Sequence, residues 1–430
     1  MSHGTLPVVD PRLSAVGMLA GLSDGGMTPA ENWFAARDAV RAGDRFGAFV
    51  HVPEFPPADY AEMGPLNAER PLAGLPVAVK DLFDTADMPT AYGSASYAGH
   101  RPVRDAAIVA ELRALGAFVL GKTATTEFAT WPPTTSVNPH DPTHTPGGSS
   151  AGSAIAVAAG LAPVALGTQT LGSVIRPASY CGVVGFKPSF GRLSRAGIKP
   201  LADSLDTVGL FARSVTDVEL VYRALVPGPD RAYPLTGRLG FLRGPYWGEA
   251  DTDAQVAMES GVARLRAAGL VVEDVHWPEL AEASKLCRRV HDYELGRNLF
   301  ADWRDWGHLI HPSLREGIAH ARTLPPEQHA EAMLGLEDLR RRFRALFLSY
   351  DAIICLAATG QAPRGLESTG NSIMNAGWTA LHVPCLTLPT LAGRDGLPIG
   401  MQLVAHRYEE HRLFAVGALI ERCLAGIGNS

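Results

Sequence analysis

The sequence predicts an α/β fold in which one sheet is covered by helices on both faces, and three observations lead there. Stretches with helical spacing alternate with short apolar runs through the first half of the 430-residue chain. Those runs are continuously apolar, the pattern of strands buried on both faces. Hydrophobic residues make up 46% and charged residues 19%, enough apolar mass for a large core with no room for long disorder.

Taken in order, residues 30–42 (AENWFAARDAVRA) have helical spacing and 46–52 (FGAFVHV) read as a strand. Residues 72–81 (LAGLPVAVKD) form a buried strand that ends at Lys80. Residues 105–122 predict an amphipathic helix, a stop at Gly116 and a second buried strand. After the proline-dotted loop 131–148 come a helix of small residues over 151–160, a strand over 163–167 and an apolar run, YCGVVGFK, over 180–187. Residues 252–350 are richer in charge and longer in helical pattern. No turn cluster marks a linker there, so this stretch is expected to be a helical layer on one domain spanning 1–430. Residues 382–405 return to strand and turn chemistry, and 409–426 close the chain with a helix.

The net charge of −6 is spread along the chain, which argues against nucleic-acid partners and an anionic membrane surface. No run reaches the roughly 18 apolar residues of a membrane span, and the N-terminus lacks the features of a signal peptide. Five separated cysteines without a C-x-x-C imply reduced thiols and a cytoplasmic location. His140 with His144, and His308 with His311, have chelating spacings but no acidic or cysteine partner nearby. They read as surface histidines, and no metal is expected.

Chemistry concentrates in residues 145–173, TPGGSSAGSAIAVAAGLAPVALGTQTLGS. Its G-x-S-x-G is not a hydrolase nucleophile elbow, because a loop rather than a strand runs into the serine. Nor is it a phosphate loop, since no lysine follows Gly152. In the plainest reading Ser149 and Ser150 cap the helix starting at Ala151. Geometry asks more of the stretch. A ten-residue helix carries the chain about 15 Å away, and a five-residue strand returns it roughly 17 Å. Ser149 and Ser173 should therefore meet at one sheet edge, where the turn ending at Ser173 can aim several N–H groups together as an oxyanion site. No histidine lies near to serve as base. Three of the five lysines, Lys80, Lys122 and Lys187, follow apolar strands where burial lowers an ammonium pKa, and any of them fits a Ser–Lys arrangement.

The segment 147–189, GGSSAGSAIAVAAGLAPVALGTQTLGSVIRPASYCGVVGFKPS, resembles the amidase signature family. LPVAVKDLFD, GKTATTEFA, SLDTVGLFARSVTD and GLPIGMQLVA support the likeness, which covers a core of about 71–217 and 378–421. The variable, mostly helical substrate side falls at about 252–375. The resemblance implies one α/β/α domain around a mixed sheet and an amidohydrolase that needs no cofactor. It also implies Lys80 as base, Ser149 as bridging serine after a cis peptide, and Ser173 as nucleophile, with Lys122 and Lys187 structural. The N–H groups of Thr170, Leu171, Gly172 and Ser173 are then expected to hold the oxyanion.

Three positions depart from the usual family pattern: Gln169 in place of Asp, Leu171 in place of Gly, and the arginine three residues after the nucleophile. GTQT-x-GSVIRP is similar to the malonamidase-type branch, in which the matching arginine holds a substrate carboxylate, and Gln169 and Arg176 are accordingly expected at the substrate. Arg176 either presents a bidentate fork to a carboxylate or bonds an acid or backbone carbonyls beneath the site. Leu171 at the oxyanion turn favours neutral amides, carbamates or ureas with an apolar portion. Hydrolysis of small half-amides such as malonamate, the amidase component of an amidotransferase, and an inactive scaffold are the competing readings. The expected partner is a small amide-type substrate, and a homodimer is left open.

Overall fold

The computed structural model describes residues 14–24, 26–56, 67–228 and 234–425. Eleven strands form one sheet: β1 Phe49–His51, β2 Pro76–Lys80, β3 Phe118–Thr123, β4 Val164–Gln169, β5 Val184–Lys187, β6 Thr207–Ala212, β7 Arg238–Phe241, β8 Val271–Asp274, β9 Ala352–Leu356, β10 Cys385–Ala392 and β11 Pro398–Val404. The order across the sheet is β1-β3-β2-β4-β6-β5-β10-β11-β9-β7-β8. Parallel pairing joins β3, β2 and β4 at one side and β9, β7 and β8 at the other, with antiparallel pairs between them, so the sheet is mixed.

Every residue of β2, β3, β4, β5, β6 and β9 is buried, as continuously apolar runs require. Alternate side chains enter different cores. Val77, Val79, Val164 and Leu166 lie on one face, and Ala78 and Ala165 on the other. The first face packs against helices α1 Ala15–Ser23, α3 Ala107–Ala114, α6 Val215–Leu225, α7 Thr252–Ala267 and α13 Glu410–Ala425. The second carries α2 Pro29–Gly43, α4 Ala151–Ala158 and α5 Ile175–Cys181. Farther along the sheet, α8 Leu280–Asn298, α11 Pro326–Phe343 and α12 Ile373–Ala380 bury a third cluster with β9 and β10. Short helices α9 Phe300–Trp306 and α10 Pro312–Ala321 complete the layer.

Local chemistry sets the ends. Thr28 and Glu31 close a reciprocal capping box on α2, with Pro29 in the first turn. Gly116 ends the α3 segment at φ +91°, where a Cβ would lie 2.7 Å from Ala73 Cα. One expectation changes. Tyr180 and Cys181 are not strand residues; they end α5, with Gly182 turning left-handed at φ +67° before β5 begins at Val184. Within 252–375 the described elements are mostly helices, and β8 and β9 among them extend the sheet. Among the described residues, no helix is long and apolar enough to cross a membrane.

Candidate active site

The three strand-end lysines separate by their partners. Lys122 Nζ lies 3.0 Å from Asp81 and bonds Phe83 O and Thr90 Oγ1 at 2.8 and 2.6 Å. Lys187 Nζ is held by the carbonyls of Pro188 and Val383. Among the described residues Lys80 Nζ bonds only hydroxyls, Ser149 Oγ at 2.8 Å and Thr168 Oγ1 at 2.7 Å. Burial lowers all three pKa values, and it takes Lys80, wholly enclosed, well below the usual lysine value, with Asp206 pulling the other way. Lys122 and Lys187 thus tie loops to the sheet, whereas Lys80 is a buried amine aimed at a serine.

The Gly148–Ser149 peptide is cis. Gly148 has no room for a side chain, since a Cβ would stand 2.7 Å from Thr369 Cγ2. Ser150 is not the side-chain helix cap expected of it. Its Oγ donates to Thr168 O at 3.2 Å and accepts from Thr168 N at 3.3 Å, so it staples the start of α4 to the end of β4. This brings the Ser149 segment and the turn leading to Ser173 to the same sheet edge.

From Thr170 to Ser173 the chain turns beneath residues 372–375, and a Cβ on Gly172 would lie 2.6 Å from Asn375 Oδ1. Outside the strand ladder, the N–H groups of Thr170, Leu171, Gly172 and Ser173 donate to no protein acceptor among the described residues. Ser173 lines a cavity of about 420 Å³ with Thr170, Leu171, Gly172 and Arg176. A neighbouring cavity of about 440 Å³ shares Ala129, Thr170 and Leu201 and touches Thr168 and Asp206.

Gln169 stands apart from both cavities. It is fully buried, its Oε1 accepts from Val174 N and Ile175 N at 2.9 and 3.0 Å, and its Nε2 donates to Thr379 Oγ1 at 3.0 Å. It satisfies the orphan N–H groups at the start of α5. Arg176 lines the Ser173 cavity while donating to Gly148 O at 2.7 Å and Thr369 Oγ1 at 3.1 Å. Its Nε is buried without a partner, and burial pushes the guanidinium down to about 10. His144 does have an acidic neighbour, Asp141 at 3.2 Å, and His140 bonds Cys181 O.

Several residues at the site escaped sequence reasoning. Asp206 accepts from Thr170 Oγ1 at 2.6 Å and from Leu201 N and Ala202 N at 2.8 and 3.0 Å. The lone acid ahead of an apolar run in SLDTVGLFA was the available signal. Thr168, Thr369, Trp131 and the α8 residues Arg288 and His291 carried none, because their roles depend on chain crossings.

Comparison with known proteins adds four findings. A family model described as Amidase matches residues 58–414. The chain is 35% identical over 412 residues to a glutamyl-tRNA(Gln) amidotransferase subunit from Thermus thermophilus, covering 83% of this chain and 86% of the relative. It is 32% identical over 426 residues to an indoleacetamide hydrolase from Pseudomonas syringae pv. syringae, covering 90% and 91%. Among solved structures it is similar to 6-aminohexanoate cyclic dimer hydrolase complexed with substrate, at a TM-score of 0.86 and 26% identity, covering 97% of this chain and 98% of that one.

Proposed function

The chain belongs to the amidase family, and from that premise we propose that it hydrolyses an amide-type C–N bond by acyl transfer through Lys80, Ser149 and Ser173. The observation that carries the reading is the amine of Lys80, buried with two hydroxyls and, among the described residues, no carboxylate at hydrogen-bond distance. In the neutral amine, an N–H donated to Thr168 leaves the lone pair free to accept from Ser149. Ser149 passes its proton to Lys80 as it takes one from Ser173, and Ser173 Oγ attacks the carbonyl carbon. The N–H groups of Thr170, Leu171, Gly172 and Ser173 receive the oxyanion. The Lys80 ammonium returns the proton through Ser149 to the leaving amine as the C–N bond breaks. Water then cleaves the acyl-enzyme by the same relay and releases the acid.

For the substrate, Leu171 supports the neutral, partly apolar amides and carbamates expected from the sequence. A second observation favours the half-amide reading. The sixteen residues lining the nucleophile's cavity include Arg176 and Arg288 and no Asp or Glu. An acyl portion carrying a carboxylate answers that charge, and we place it ahead of the neutral class. The amidotransferase reading has support in the relatives of that name, and copurification of a second protein component would favour it. Labelling of wild type, but not Ser173→Ala, by a serine-directed fluorophosphonate tests the catalytic assignment; equal labelling of both overturns it.

A further inference from the structure

Helix α8 lies outside the signature core, yet it reaches the nucleophile's cavity with Arg288 and His291, three residues apart on one helical face. His291 is buried and keeps Nδ1 on Asp292 Oδ1 at 2.8 Å. Arg288 is exposed and makes no hydrogen bond or ion pair among the described residues. Across the cavity, Arg176 is 94% buried with an unpartnered Nε, and its Nη2 donates to Gly148 O and Thr369 Oγ1. The two guanidiniums repel one another, and no acid within the cavity offsets them. Two cations facing one cavity that holds a nucleophile are costly unless an anion joins them.

We infer that Arg288 is a specificity-determining residue: with Arg176 it forms a two-sided site for the carboxylate of a short half-amide, Arg176 from beneath and Arg288 from the mouth. This rests on the acyl-transfer reading above and names the substrate class that Ser173 would take. The roles of the two arginines differ. Arg176 also holds Gly148 O, next to the bridging serine, so its loss disturbs the catalytic segment. Arg288 touches no catalytic group, so its loss should weaken binding in ground and transition states alike, raising KM with little change in kcat.

The test uses the full chain as Ser173→Ala, so that substrate is bound and not consumed. Calorimetry measures malonamate, succinamate and glutaramate, each beside its neutral diamide, in that background and with Arg288→Ala, Arg288→Lys or Arg289→Ala added. Arg289 is also exposed on α8 but does not line the Ser173 cavity, so its variant carries the same charge change off the site. At least one half-amide should bind more tightly than its diamide. Arg288→Ala should weaken that half-amide about tenfold, the scale of one charge-assisted hydrogen bond. Arg288→Lys should recover part of the loss, and Arg289→Ala should match the parent. Equal weakening by Arg288→Ala and Arg289→Ala would reduce the effect to net charge and overturn the inference. So would half-amides that bind no better than diamides, or that bind not at all to a folded protein. Fluorophosphonate labelling of wild type keeps the two levels apart: labelling at Ser173 without half-amide binding refutes the anion site alone, and absence of labelling refutes the acyl-transfer reading beneath it.

Discussion

Replacing Lys80 by Met keeps an unbranched side chain of similar volume in the core and removes only the amine, so it isolates the protonation state on which the mechanism depends. A lysine whose folded pKa lies below its unfolded value binds fewer protons folded than unfolded. Stability therefore rises with pH, starting near the folded pKa and ending near the unfolded value of about 10.4. Lys80 has the burial for this and, among the described residues, no carboxylate at hydrogen-bond distance to prevent it. One titrating proton contributes about 1.4 kcal/mol per pH unit inside the window, so two pH units widen the gap between wild type and Lys80→Met by up to about 2.7 kcal/mol. Lys122 and Lys187 titrate in both proteins and cancel. The Ser149 and Thr168 hydroxyls lose a partner in the variant, which adds an offset independent of pH. Asp206 pulls the folded pKa upward and so moves the start of the window without changing its slope. Guanidinium unfolding followed by tryptophan fluorescence at pH 7.5, 8.5 and 9.5 measures the difference directly. A flat difference would mean that Lys80 is charged in the folded protein, and the base assignment would fall with it.

Two further outcomes follow from the same contacts. Ser149→Ala should lower kcat by at least about two orders of magnitude, the scale of a lost proton relay. Ser150→Ala should cost about 1–2 kcal/mol of stability and a smaller fraction of the rate, because it frees Thr168, the second partner of Lys80; the opposite order in kcat would show the bridge misplaced. Asp206→Asn removes the charge that raises the Lys80 pKa, so the acid limb of kcat/KM against pH should move to lower pH. An unmoved or higher limb would sever Asp206 from Lys80.

How far the sequence carried the reading depended on how local each signal was. The buried strands around Lys80, Lys122 and Lys187 were legible because an apolar run bounded by glycine or proline is a local pattern. Helix α5 was not, since IRPASYC carries a proline in its first turn and runs into apolar residues that read equally well as a strand. Strands β8 and β9 were lost among long charged helices for a related reason, as β8 is only four residues and half-exposed. At the site, residue chemistry reduced the base to three lysines. Separating them required knowing that Asp81 and Thr90 reach Lys122 while only hydroxyls reach Lys80. Arg288 was beyond reach from sequence, because its meaning comes from a cavity shared with a residue 112 positions earlier in the chain.

The departures from the family pattern at 169 and 171 bear on the 170–173 turn in a way that residue identity alone does not convey. Four consecutive N–H groups can point into one cavity only if nothing nearby offers them a closer acceptor and the flanking side chains are drawn aside. Gln169 is drawn into the start of α5 by two N–H groups and to Thr379 by its amide, a second bond that a carboxylate there could not donate. Thr170 is drawn to Asp206. Leu171 keeps its side chain half-buried at the cavity while Thr379 holds its carbonyl at 3.1 Å, so the same threonine braces both departures. Gly172 then passes beneath Asn375 where no Cβ fits. Gln169 and Leu171 are thus coupled through Thr379 on α12, outside the signature motif that contains them.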